Sequence, residues 1–304
     1  MNPYTRRTAV VSLTAALAAG LTTSAAARSR SAGRGAAPAG PAPRDARQAY
    51  GPAVAPAPLE RAHAHNDYAH RRPLLDALSH GFGSVEADIW LVEGRLLVGH
   101  EESDLDRDRT LESLYLDPLR MRVRANGGQV YAGHPLPLQL LIDIKNSGAS
   151  AYRELARRLL PYREMLSVSD HGRVRTGAVT AVVSGDRAAR PPLEAEQVRH
   201  AFYDGRLGDL GTPAPASLIP LVSGSWEESF TWRGHGPMPA GERAALRRIV
   251  AAAHAEHRRV RFWATPDRPG AAREAVWREL LAAGVDHLNT DDLAGLERFL
   301  RAAG

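Results

Sequence analysis

The chain has 304 residues and no cysteine, with 39 Lys and Arg against 34 Asp and Glu for a formal net charge of +5. That length can bury one large core, and the missing thiols exclude a disulfide framework, a thiolate metal centre and a lipoprotein anchor. The charge excess does not mark a nucleic-acid binder: residues 1–58 carry seven Arg and one Asp, which leaves 32 basic and 33 acidic side chains for the rest.

The first segment reads as targeting. Arg6-Arg7 precede an uncharged run from Thr8 to Leu21, and Ala25-Ala26-Ala27 offers a small-residue cleavage site. The run is shorter than a membrane-spanning helix, and Thr5-Arg6-Arg7 also permits a twin-arginine signal. Residues 1–27 are therefore expected to be an export signal, and the product a secreted, soluble monomer. Residues 28–58 are dominated by Ala, Gly, Pro, Ser and Arg, cannot bury enough surface to fold, and read as a linker. The folded part is expected over 59–304.

From there, β-type runs alternate with helical ones. Strands are expected at Arg61–His65, Ser84–Leu91, Leu138–Lys145, Ala178–Ser184, His200–Asp204, Ile219–Ser223, Val260–Ala264 and Val285–Asn289. Amphipathic helices are expected at Arg72–His80, Leu111–Arg122, Ala151–Leu160, Gly241–His257, Ala272–Ala283 and Leu293–Arg301. Most strands are apolar until their last residues and then turn polar. Eight such units, with the chemistry at strand C-termini, predict a single-domain α/β fold, the (β/α)8 TIM barrel. Arg95–His100 is one strand too many and should form a hairpin with its predecessor across Glu93-Gly94.

Within Gly83–Leu91 the alternation puts Glu86 and Asp88 on one face and Val85, Ala87 and Ile89 on the other. Two carboxylates side by side on a buried strand repel, and a bound cation is the usual remedy. In Leu140–Lys145 the same period puts Asp143 and Lys145 together. Lys145 is the only lysine of the chain; the other 38 basic residues are Arg. A site that needs a compact point charge, where a guanidinium fork does not fit, explains that choice.

His65-Asn66, Glu86-x-Asp88, His100, Asp143-x-Lys145, Phe262-Trp263-Ala264-Thr265 and the closing run Val285–Asp291 occur in an order that resembles the phosphatidylinositol-specific phospholipase C / glycerophosphodiester phosphodiesterase superfamily of barrels. The resemblance covers about 59–302. It is nearest to the phospholipase-C-like phosphodiesterases related to altered inheritance of mitochondria protein 6, which share the Ala64–Tyr68 opening and the Thr110–Leu119 stretch. It implies catalytic roles for His65 and His100, and a metal shell of Asn66, Glu86, Asp88 and Asp143. Two departures stand out: Asn66 replaces the Arg of glycerophosphodiesterases, and Asp143 is one carbon shorter than the Glu of many relatives.

An all-oxygen donor set suits Mg2+ or Ca2+ rather than zinc. Phosphoryl transfer also needs a proton acceptor and a proton donor, for which His65 is assigned to the nucleophile and His100 to the leaving group. The expected substrate is a small-molecule or lipid phosphodiester, with transient contact at a membrane surface and no nucleic acid. Lys145 is counted with His65 and His100 among the catalytic residues, and Lys145, Asp204 and Trp263, at strand ends, are candidates to touch the substrate. Gly224–Pro239, with Trp226, Phe230 and Trp232, reads as a lid, a lipid-contacting surface or a packed flap. Two other readings compete. His63-x-His65 also opens metal-dependent amidohydrolases, with Lys145 as a carbamylated bridge, and a binding barrel without catalysis would keep the fold alone.

Overall fold

Twelve strands are numbered in chain order: β1 Leu59–Ala64, β2 Phe82–Val92, β3 Arg95–Val98, β4 Leu138–Ile144, β5 Val168–Asp170, β6 Arg173–Arg175, β7 Val179–Gly185, β8 Val198–Arg199, β9 Ala201–Arg206, β10 Leu221–Ser225, β11 Arg259–Trp263 and β12 His287–Thr290. The structure is a computed structural model that describes residues 57–303; the expected leader and nearly all of the linker lie outside the described residues. Eight strands run parallel in the order β1, β2, β4, β7, β9, β10, β11, β12, and the pairing of β12 with β1 closes the ring. This is the expected (β/α)8 barrel. Each expected strand is present, shifted by at most two residues at either end.

Helices cover the ring for the reason their periodicity gives. Gly148–Leu159 buries Ala151, Tyr152, Leu155 and Leu159, and Ala240–Ala255 buries Leu246, Val250 and Ala253. Ala271–Ala283 ends at Gly284, whose φ of 85° is the left-handed stop that glycine adopts without strain. Among the described residues no helix is long and apolar enough to cross a membrane. The expected helix after β3 begins instead as a π-turn, Glu112–Leu116, before becoming α-helical over Asp117–Ala125. A small antiparallel sheet of β5, β6 and β8 was not foreseen, because strands of two or three residues show no period.

The two faces of the barrel strands differ in chemistry. Val85, Ala87, Ile89, Leu140, Ile142, Ala181 and Val183 belong to the main core between strands and helices. Leu141, Val182, Phe202 and Leu221 form a separate apolar cluster. Parallel register aligns Glu86 with Leu141, Leu141 with Val182 and Val182 with Phe202, so this cluster shares the inner face with Glu86. The rest of that inner face is polar and buried: His63, Ser84, Glu86, Asp88, Gln139, Ser184, Asp204, Ser223, Arg261, His287 and Asn289.

β3 returns antiparallel to β2 through Glu93 and Gly94, at φ 50° and 75°, the paired positive values of a two-residue hairpin turn. It carries His100 back toward Asp88. Gly185, which ends β7 at φ 80°, packs on β4: a Cβ there would strike the Ile144 carbonyl oxygen and come within 2.6 Å of Asp143 Oδ1. Gly185→Ala therefore combines a strained backbone with a collision, and should cost roughly 2–4 kcal/mol. For a chain of this size that lowers the melting midpoint by at least about 5 °C, and an unchanged midpoint would refute the close approach of β7 to Asp143.

Candidate active site

Register brings the acidic residues together. Asp88 and Asp143 are Cα partners across β2 and β4, with Glu86 one inward-facing position below Asp88. Lys145 Nζ lies 2.9 Å from Asp88 Oδ2 and 3.2 Å from Asp143 Oδ1, so the lone lysine bridges both carboxylates. Burial by itself would lower the lysine's pKa, but the Asp143 and Asp88 charges outweigh it and the shift is upward. Burial raises Asp143 to about 6, with Glu86 and Asp88 adding to the shift and Lys145 opposing it. Asp88 is also raised, by burial and by the Glu86 charge.

Glu86 is the exception. Burial would raise it too, yet Arg261 and the His63 contact hold it well below the usual carboxylate range. Arg261 Nη1 donates to Glu86 Oε2 at 2.9 Å and lies 2.9 Å from His63 Nε2. His63 Nε2 also lies 3.1 Å from Glu86 Oε2, and its Nδ1 lies 2.7 Å from Ser84 Oγ. Burial lowers this histidine to about 4, which keeps it neutral. Arg261 Nε continues to Ser223 Oγ at 3.2 Å, and Ser223 Oγ to Asp204 Oδ1 at 2.7 Å. A hydrogen-bonded chain thus crosses the lumen from β9 to β2.

The histidines at the mouth are held differently. His65 Nδ1 lies 2.7 Å from Asp291 Oδ1, and Asn66 Nδ2 donates to the same oxygen at 3.3 Å. Asp291 accepts only, so Nδ1 carries the proton and Nε2 is left for chemistry. Burial would lower His65, but the Asp291 hydrogen bond and the Glu86 charge raise it. His100, on the hairpin, is 57% exposed in its side chain and reaches Asp88 Oδ2 from Nδ1 at 3.2 Å. Tyr68 Oη is 2.6 Å from Asn66 Oδ1 and 2.8 Å from Asp88 Oδ2. A phenol has one proton to share between those two acceptors. Beside this cluster a groove of about 770 Å3 is lined by Asn66, Tyr68, His100, Arg109 and Asp291 among others. A second cavity, of about 400 Å3, lies at the opposite ends of the strands beside Gln139, Arg259 and His287, and none of the catalytic candidates borders it.

Comparison with known proteins gives the same answer. The description of an AIM6-like phosphodiesterase domain matches residues 53–204, half of the chain. Altered inheritance of mitochondria protein 6 homolog of Arthroderma benhamiae is 32% identical over 264 residues, which cover 79% of this chain and 82% of that protein. The chain belongs to the AIM6-like phosphodiesterase family. Altered inheritance of mitochondria protein 6 of Eremothecium gossypii is likewise 32% identical, over 79% of this chain and 69% of that protein. Residues 259–294 match the glycerophosphoryl diester phosphodiesterase family. A solved glycerophosphoryl diester phosphodiesterase from Parabacteroides distasonis aligns with a TM-score of 0.48 at 12% identity, over 84% of this chain and 90% of that one. As a family member the chain is a phosphoric diester hydrolase.

The AIM6-like site brings together His65, Asn66, Glu86, Asp88, His100, Asp143 and Lys145. Among the described residues, no three acidic or imidazole groups converge closely enough to enclose an ion as they stand, and Lys145 holds the position between Asp88 and Asp143. Asp204 is a correction: it is fully buried, and Ser184, Ser223 and Arg206 take up its carboxylate, so it braces the barrel and does not reach substrate. Trp263 stands 37% exposed at the end of β11. Trp226, Phe230 and Trp232 are buried, with Trp226 and Phe230 centroids 4.4 Å apart and both against Phe262, which makes the aromatic loop a packed flap. The amidohydrolase reading with a carbamylated bridge gives way to the family assignment, and Lys145 pairs with Asp88 and Asp143.

Three residues were missed. Arg261 had a signal, since Arg259-x-Arg261-x-Trp263 alternates within an otherwise apolar strand. Asp291 and Tyr68 sat inside motifs already noted, but their partners come from other strands. Arg261→Met should cost roughly 3–5 kcal/mol, because it strands the buried Glu86 carboxylate. Adding Glu86→Gln should return most of that loss in urea unfolding, and additive losses would show that the two do not pair. A pH dependence follows from Asp143 in metal-free protein. Between about pH 4 and 6 the folded chain keeps a proton that the unfolded chain has released, so stability falls as pH rises. Asp143→Asn should flatten that decline by about 2 kcal/mol across the window, whereas parallel stability curves for wild type and variant would reject the raised carboxyl.

Proposed function

We propose that this enzyme cleaves a small or lipid-derived phosphodiester with divalent-cation assistance, His65 acting on the nucleophile and His100 on the leaving group. The observation that carries the reading is the division of labour between the histidines around one carboxylate pair. His65 is clamped by Asp291 in the tautomer that presents Nε2, a fixed proton acceptor with its basicity raised. His100 is open to the groove and touches Asp88, which suits a group that meets a departing alkoxide.

The donor chemistry suits a hard cation. Asp88 Oδ1 is buried without a partner among the described residues, the contacts to Glu86 fall on Oε2, and the raised Asp88 and Asp143 share Lys145 as their fixed cation. Glu86, Asp88 and Asp143, with Asn66, would hold Mg2+ or Ca2+. When bound, such an ion supplies charge neutralisation at the phosphate and a lowered pKa for a hydroxyl nucleophile. Lys145 is placed to meet a phosphate oxygen with a point charge, and Arg261 keeps Glu86 ionised whatever occupies the mouth. Export through the Arg6-Arg7 leader belongs to the same proposal.

A panel of a nitrophenyl diester, glycerophosphodiesters and lysophospholipids, run in chelator and after adding back Mg2+, Ca2+ or Zn2+, tests it. Activity should vanish on chelation and return with one of the first two ions. His65→Ala should lose at least ~100-fold on every substrate. His100→Ala should lose far less on the nitrophenyl diester, whose leaving group needs no proton. Full turnover in chelator would remove the cation from the proposal, and equal losses on good and poor leaving groups would remove His100 from its role.

A further inference from the structure

We propose that the groove beside His100 binds a second anionic group of the substrate, so that the preferred diester carries a phosphomonoester or carboxylate beyond the phosphate that is cut. This rests on the phosphodiester-cleaving reading above and names the substrate class. The groove is walled by Asn66 and residues 68–71, by 98–100 with Asp104, and by Arg109 and Asp291. Its fixed cations are Arg71 and Arg109. Among the described residues neither has a carboxylate within ion-pair distance, although their neighbours do: Arg72 pairs with Asp76 and Arg107 with Glu93, each at 2.8 Å.

Arg109 is not a loose surface side chain. It is half-buried, its Nη2 donates to the Tyr68 carbonyl oxygen at 2.6 Å, and its own carbonyl oxygen accepts from Val98 N at 2.8 Å. Those bonds fix it beside Tyr68, whose hydroxyl lies on Asp88. The remaining guanidinium donors are without a partner among the described residues. The acids of the same groove are already engaged: Asp104 Oδ2 accepts from the Glu101 backbone N–H at 3.0 Å, and Asp291 holds His65 and Asn66. Glu101, beside His100, is exposed and lies 3.6 Å from His100 Nε2.

One phosphodiester brings one negative charge, and Lys145 stands ready to meet it between Asp88 and Asp143. Two further guanidiniums on the leaving-group side exceed that need. A partly desolvated guanidinium without a counter-ion favours a planar or tetrahedral oxyanion, which it grips with two parallel N–H donors.

The test compares substrate pairs that differ by one anion: glycerophosphoglycerol with its terminal phosphate ester, and glycerophosphoethanolamine with glycerophosphoserine. The full chain should prefer the more anionic member of at least one pair by about tenfold or more in kcat/KM, chiefly through KM, and added KCl should erode the preference. Which pair responds tells phosphomonoester from carboxylate. Arg109→Ala and Arg71→Ala should each reduce the preference roughly fivefold. Arg71 makes no side-chain hydrogen bond or ion pair among the described residues, so its variant folds even if loss of Arg109 loosens Tyr68. Calorimetric titration of the same four compounds gives the comparison without turnover. If none is cut but the binding preference exists and falls in Arg71→Ala, the reaction reading fails and the anion site stands. Equal kcat/KM and equal affinity within both pairs, or variant losses equal on both members, would overturn the proposal.

Discussion

Three carboxylates on the inner face of two adjacent strands are the constraint that the rest of this barrel satisfies. Glu86, Asp88 and Asp143 project into a lumen where an unpaired charge is costly, and two cations of different kinds answer them. Arg261 reaches Glu86 from β11 and is itself held by Ser223 and Asn289. Lys145, one residue past the strand that carries Asp143, bridges the other two. The division has a chemical logic. The Arg261 charge holds Glu86 well below the usual carboxylate range. The raised Asp88 and Asp143 form the part of the site whose charge responds to what enters.

Much of this was legible in the chain. Period-two alternation gave the strands, the shared face of Glu86 with Asp88, and that of Asp143 with Lys145, because both facts are local to one strand. What stayed hidden depends on contacts between strands. Asp204 ends an apolar run just as Asp143 does, and only Ser184 and Ser223 from neighbouring strands show that its carboxylate turns inward to brace the ring. Arg261 alternates as an inward residue should, but nothing local says that its guanidinium meets Glu86 across the lumen. The aromatic loop could not be read as a flap until Phe262 was seen against Trp226 and Phe230.

The site is also built from two mechanical classes of support. His65 follows a strand hydrogen-bonded on both sides, and its ring is fixed by an acid from the end of β12. His100 follows β3, a short strand outside the closed ring that pairs with β2 and, on its other edge, meets the Arg109–Thr110 segment, so the histidine proposed for the leaving group hangs on a hairpin while its counterpart is anchored in the ring. Chemistry at the nucleophile asks for a fixed angle, whereas release asks for an exit. The fold supplies rigidity to one histidine and openness to the other without any change in the barrel itself.

The lone lysine makes the protein chemically addressable in an unusual way. A chain that uses Arg at every other basic position offers an amine-directed acylating reagent one side-chain target, and that target bridges Asp88 and Asp143. Held protonated by Asp88 and Asp143, the amine is a poor nucleophile for as long as those ion pairs persist. Its labelling rate therefore reports on the integrity of the ion pairs themselves, read from one residue in native enzyme, with no engineered probe.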